Sequence, residues 1–252
     1  MDSINKLTFA DLLLTEEKSV FRYLEGQNNP IVNVDSYYDD EIKQIKSNIK
    51  VLSQSKGKEF FYSHFGTPYR VTVINTVGGT GYFLRKLKIP VPALDQLGFS
   101  AGVLSTLKSL GKMKGLILVG GATGSGKSTT IYSLLTEFLT QYGDILISIE
   151  DPPELPAQGS YGADAKGIWY QLDARDVGGY EQAMISAMRY NPRYIFLGEI
   201  RSPKTAKEAI RAAVNGHLVV STIHGSSVQG SLYALQQIAS AEGEMDLVRS
   251  II

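Results

Sequence analysis

Up to residue 89 the apolar positions follow two different rhythms. Between Asp39 and Ser53, Ile42, Ile45, Ile49 and Leu52 recur at 3–4–3 spacing, which places them on one face of an amphipathic helix. Residues 7–24 carry Leu7, Leu12, Leu14, Val20 and Leu24, and a looser version of the same period predicts a second helix there. Three β-rich runs follow at 59–65, 69–77 and 82–87. In the middle one Val71 and Val73 alternate with Arg70 and Thr72, the period of a half-buried strand. The cluster Gly78, Gly79, Thr80 and Gly81 between the last two runs predicts a turn. Residues 1–89 therefore read as a small α+β domain.

The pattern changes after Pro90 and Pro92, which favour an extended path and mark residues 90–99 as a linker. Residues 100–252 alternate between continuous apolar runs and helical segments. The runs lie at 115–121, 145–150, 194–199 and 217–223, and the helices are expected at 126–141, 180–190 and 203–214. Apolar strands without polar alternation, interleaved with helices, predict an α/β fold with a mainly parallel sheet covered on both faces. Residues 155–168, rich in Gly and without periodicity, read as a surface excursion.

Charge and composition narrow the chemistry. Lys plus Arg and Asp plus Glu both number 25, so no net field favours nucleic acid or an anionic membrane. The chain has no cysteine, which excludes disulfides, thiol catalysis, Cys-ligated zinc and iron–sulfur clusters within it, and its three histidines argue against a multi-histidine metal site. No apolar run approaches the ~18 residues needed to cross a bilayer. The first residues lack a basic segment and carry acids among their leucines, so a soluble, intracellular protein is expected.

The segment from Gly121 to Ser128 matches GxxxxGK[ST] between an apolar strand and a helix, the context of a P-loop. Glycines in such a loop let successive N–H groups point inward at an anion, and the helix N-terminus adds its partial positive charge. Gly121, Thr123, Gly124, Ser125, Gly126 and Thr129 would surround nucleotide phosphates, Lys127 would bridge the β- and γ-phosphates, and Ser128 would give its hydroxyl to Mg²⁺. The ligand set this pattern predicts is ATP with Mg²⁺.

Glu199 ends a buried strand where open α/β sheets place ligands, so it is a candidate to hold Mg²⁺ through water or to polarise an attacking water. Glu150, Asp151 and Glu154 also follow an apolar strand. They suit a cation or a water, with Asp151 a candidate metal group, and they equally suit an acidic solvated turn. His217 and His224 bracket a strand at an odd spacing, so at most one is expected to face the phosphates; a core role competes for His217.

In order along the chain, GATGSGKSTT, IEDPPE, FLGEIR and GHLVVSTIH resemble the Walker A, Asp box, Walker B and His box of the PilT/GspE superfamily of secretion and pilus motor ATPases. The segments 175–178 and 187–192, with Tyr69–Val73, the Gly78-Gly79 pair and Phe83–Arg85 in the first block, extend the resemblance over about residues 60–235. It implies a RecA-like P-loop domain behind a PAS-like N-terminal domain, in a hexameric ring that hydrolyses ATP with Mg²⁺. It also implies catalytic roles for Glu199, Glu154 and His224, and arginines Arg70 and Arg85 that reach a nucleotide from the N-terminal domain. The implied setting is cytoplasmic, at the inner face of the bacterial inner membrane, with a platform protein of a pilus or secretion machine as partner and no direct nucleic-acid binding.

Three departures stand out. Ser202 replaces the family's aspartate after Arg201, removing a carboxylate and loosening a local ion pair. Asn75 and Val77 stand where many members have further arginines. The chain ends soon after the His box, which implies that the family's C-terminal helical part is lacking. Two other readings fit the motifs: a P-loop motor acting on nucleic acid, and a nucleotide-switched ring subunit with weak turnover.

Overall fold

The computed structural model describes residues 3–122, 124–225 and 227–240. The chain forms two compact units, Met1–Ile89 and Pro90–Ile252.

In the first unit, β1 (Asp11–Leu14), β2 (Ser19–Arg22), β3 (Ile31–Asn33), α1 (Asp39–Lys56), β4 (Glu59–His64), β5 (Thr67–Thr76) and β6 (Gly79–Lys86) follow in sequence. The strands make one antiparallel sheet in the order β3-β2-β1-β6-β5-β4. Helix α1 buries Ile42, Ile45 and Ile49 in a core with Leu12, Leu14, Phe21, Val71 and Leu84. The helix expected over residues 7–24 is instead the β1–β2 hairpin. Leu12 and Leu14 enter the core and Leu13 turns away from it, a period of two that the run of three leucines conceals. Thr15 N–H closes the hairpin on Lys18 O at 2.8 Å. The glycine cluster is also more ordered than expected: Gly79 and Gly81 belong to β6 and pair with Thr76 and Ile74.

The second unit runs α2 (Ala101–Ser109), β7 (Gly115–Gly120), α3 (Lys127–Tyr142), β8 (Asp144–Glu150), β9 (Gly159–Tyr161), β10 (Gly167–Asp173), α4 (Gly179–Arg189), β11 (Tyr194–Leu197), α5 (Pro203–Val214), β12 (Leu218–Ile223) and α6 (Val228–Ser240). Its sheet has the order β7-β12-β11-β8-β10-β9, parallel throughout except for β9. Side-chain alternation divides the core in two. Ile147, Ile149, Ile195, Leu197 and Val219 pack with α4, α5 and α6, while Leu146, Tyr194, Phe196, Leu218 and Val220 pack with α3. Both faces are thus covered, which explains why these strands show no polar alternation. Leu94 is buried in the α3-side core, and Ser133 Oγ donates to Pro92 O at 2.7 Å, so the proline segment is bound to this unit.

The excursion expected at 155–168 holds an added hairpin, β9 against β10, and β10 continues beside β8 with Trp169 fully buried. Gly167 makes that close approach possible: a Cβ there would meet Leu139 O at 2.6 Å and Leu139 Cβ at 2.8 Å. Because the first obstacle is helix backbone, Gly167→Ala is expected to destabilise the second unit by about 2–3 kcal/mol. Thermal unfolding checks this; an unchanged midpoint would mean that α3 shifts freely.

Candidate phosphate-binding site

Strand β7 ends at Gly120 and α3 starts at Lys127, so the glycine-rich loop joins a parallel strand to a helix N-terminus. Gly124 (φ 78°) and Gly126 (φ 90°) adopt the left-handed conformation that side chains resist. Gly126 is the N-cap of α3 and offers no side-chain cap, so the first-turn N–H groups of Lys127, Ser128 and Thr129 keep their donor capacity toward an anion. Lys127 folds back across the loop and donates to Gly121 O at 3.0 Å and Ala122 O at 2.9 Å. Ser125 N–H closes the loop on Ala122 O at 3.2 Å. Thr123, also expected in this cradle, lies outside the described residues.

Glu199 follows β11, and the structure joins it to His224 beyond β12: His224 Nε2 is 2.9 Å from Glu199 Oε1. Arg201 binds the other oxygen through Nε at 2.6 Å and Nη2 at 2.5 Å. Glu199 is mostly buried while His224 is exposed, so the pair reaches from the sheet edge to solvent. His217 takes the structural role: it is buried, with Nδ1 2.6 Å from Pro192 O.

The acidic segment after β8 divides by burial. Asp151 and Glu154 are exposed, and Asp151 lies 3.7 Å from Arg175 Nε, whose guanidinium also holds Asp173 at 2.6 Å. Glu150 is buried and forms a cluster that sequence reasoning did not assign. Its carboxyl accepts hydrogen bonds from Tyr132 on α3 and from Gln171 Nε2 on β10 at 2.9 Å. Gln171 Nε2 also donates to Leu155 O at 2.8 Å. Burial pushes the Glu150 carboxyl above the usual glutamate range, opposed by these hydrogen bonds. The cluster ties the P-loop helix to the segment carrying Asp151 and Glu154. Tyr180 was also unassigned; burial first, then the negative charge of Asp151, raises its phenol above the ordinary tyrosine value.

Ser202, where a carboxylate was missed, caps α5: its Oγ accepts from Thr205 N–H at 3.2 Å. Serine and aspartate are comparable N-caps, so the helix start is kept, and Arg201 finds its carboxylate in Glu199 instead.

Among the described residues no group of three or more His, Asp or Glu side chains is placed to hold a metal ion. In P-loop proteins generally, Mg²⁺ is held by one protein hydroxyl together with phosphate oxygens and waters. Ser128, in the first turn of α3, offers such a hydroxyl. In the first unit, Arg70 and Arg85 stand directly opposite each other on β5 and β6.

A glycine-rich loop between a parallel strand and a helix N-terminus, with acids closing two further strands of the same sheet, defines a P-loop α/β domain of RecA-like layout. The chain belongs to the Type II/IV secretion system protein family, which it matches over residues 67–252. It is 35% identical over 188 residues to the type IV pilus retraction ATPase PilT of Pseudomonas aeruginosa, covering 73% of this chain and 51% of that protein. It is 37% identical over 177 residues to the protein transport protein HofB homolog of Escherichia coli, covering 69% and 36%. The chain thus spans about half or less of the curated relatives it matches. The crystal structure of the pilus retraction motor PilT with bound ADP superimposes with a TM-score of 0.78 at 27% identity, over 98% of this chain and 72% of that one. The ATPase DotB of Legionella pneumophila shares the fold, with a TM-score of 0.72 at 21% identity, over 97% and 70%. The resemblance to the PilT/GspE superfamily read from the motifs is borne out. Among the described residues, no helix is long and apolar enough to cross a membrane.

Proposed function

We propose that this chain hydrolyses ATP with Mg²⁺ as the motor core of a pilus or secretion machine. The observation that carries the reading is the P-loop cradle with Lys127 folded across it, in the same unit as the Glu199–His224 pair. Lys127 would exchange its two carbonyl contacts for phosphate oxygens, since a protonated amine loses little in trading one set of acceptors for another. Ser128 would hold Mg²⁺, which supplies charge neutralisation at the phosphates when bound with nucleotide. Glu199 would orient and polarise the attacking water, with His224 reporting phosphate charge to that carboxylate. Glu154 and Asp151, exposed at the same end of the sheet, would hold water near the metal. Arg70 and Arg85 would neutralise phosphoryl charge.

In this reading the working form is a ring, with a hexamer proposed from family resemblance. Its force goes to a platform protein at the cytoplasmic face of the inner membrane. The test is phosphate release by the polypeptide with MgATP. Multiple turnovers are expected, abolished by chelating the metal, with activity per subunit rising as protein concentration favours assembly. Bound nucleotide without turnover at any concentration would replace hydrolysis by a switch, and stimulation by nucleic acid would redirect the motor.

A further inference from the structure

The face of the first unit's sheet opposite α1 carries a line of charge that crosses four strands. Asp11 on β1 stands opposite Arg22 on β2 and Arg85 on β6, and Arg85 stands opposite Arg70 on β5. Side chains directly opposite on adjacent strands lie ~5 Å apart, so the four residues form one continuous row. Asp11 is the buried member: its side chain is 6% exposed, against 41% for Arg22 and 55% for Arg85.

The contacts are unequal in a way that matters for ligand binding. Arg85 donates to Asp11 Oδ1 through Nε at 3.0 Å, and among the described residues neither of its terminal nitrogens is engaged. Arg22 donates to the other carboxylate oxygen through Nη1 at 3.4 Å and so holds that carboxylate from the opposite side. Among the described residues the guanidinium of Arg70 has no ion-pair partner. One carboxylate therefore pairs with two of the three guanidinium groups in the row, which keeps an excess of positive charge. An arginine pinned at Nε presents its two terminal N–H₂ groups as a fixed fork, the geometry that binds phosphate oxygens bidentately, and most of the ordering of its long side chain is already done.

We infer that Asp11 is a positioning residue that fixes Arg85 with its fork outward beside Arg70, so that the two arginines grip one phosphoryl group. The inference rests on the ATPase reading only for the source of that group, which it assigns to bound nucleotide. An ordinary strand ion pair would predict no more than a small change in stability on losing Asp11.

Arginine-specific labelling with phenylglyoxal, mapped by mass spectrometry on the full chain, reads the fork directly. In wild type, MgATP is expected to slow labelling of Arg85 and Arg70. Asp11→Asn, which keeps the shape and removes the charge, is expected to abolish the protection of Arg85. It is also expected to lower kcat about tenfold with KM nearly unchanged, the size of one charge-assisted hydrogen bond. Arg85→Lys provides a second route if Asp11→Asn does not fold: a lysine can hold Asp11 or phosphate but has no fork for both, so the same fall in kcat is expected. Wild-type protection of Arg85 with wild-type kcat in Asp11→Asn, or wild-type kcat in folded Arg85→Lys, would overturn the role of Asp11. Lys127→Ala separates the sources: loss of ATP protection there assigns the phosphate to P-loop nucleotide. Protection by free pyrophosphate that persists in Lys127→Ala, with none by ATP in wild type, overturns that assignment. If wild type binds ATP without turnover, the hydrolysis reading fails while the labelling still judges Asp11.

Discussion

Lys127→Ala is expected to weaken ATP binding by about a hundredfold or more. The ammonium holds Gly121 O and Ala122 O at 3.0 and 2.9 Å, so it already lies over the loop that would cradle the phosphates. Charge-assisted hydrogen bonds contribute about 1.5–3 kcal/mol each, and losing two to phosphate oxygens removes about 3 kcal/mol or more, two decades in Kd. The loop N–H groups and the N-terminus of α3 remain, so some affinity for anions should survive. Deleting the side chain also removes two contacts within the loop, which could lower stability on its own. Calorimetric titration with MgATP, set beside thermal unfolding without nucleotide, separates the two effects. A variant that binds ATP like wild type would remove Lys127 from the phosphate site, whatever its stability.

The parts of this fold that were legible in the sequence are those set by local periodicity. Ile42, Ile45 and Ile49 define α1 because they recur on one helix face whatever the surroundings, and the four apolar runs of the second unit could hardly be anything but buried strands. The P-loop was legible because its chemistry is contiguous: glycines, lysine and serine act within eight residues. What the sequence concealed depends on partners far along the chain. Leu12, Leu13 and Leu14 satisfy a helix or a strand equally, and only pairing with Phe21 and Leu84 selects the hairpin. β10 begins at a glycine whose purpose is the nearby backbone of α3, a contact with no trace in the local pattern. The Tyr132–Glu150–Gln171 cluster and the bond from Arg85 to Asp11 join residues 18 to 74 positions apart, and no spacing rule reaches that far. Glu199 and His224 were each legible as strand-end polar residues, but their contact depends on β11 and β12 being neighbours.

That contact sets the terms for the largest kinetic effect expected, in Glu199→Gln. Both carboxylate oxygens are engaged, one by Arg201 at 2.5 Å and the other by His224 at 2.9 Å. With both oxygens occupied, in the hydrolysis reading one partner must turn toward phosphate before Glu199 can take up a water. His224 suits that movement because its side chain is 69% exposed. Glutamine keeps the length and one acceptor, so Arg201 or His224 can still be bonded, but it carries no charge with which to polarise water. Turnover should fall by about 10²–10⁴, the usual contribution of a positioned general base, while ATP affinity stays within about threefold. His224→Ala should lower turnover less, because it frees the carboxylate from one partner while removing a contact to phosphate. Single-turnover phosphate release, measured beside equilibrium nucleotide binding, distinguishes chemistry from binding. If Glu199→Gln instead lost affinity and turnover in equal proportion, the carboxylate would be holding the metal–nucleotide complex rather than activating water, and its role would move to Glu154.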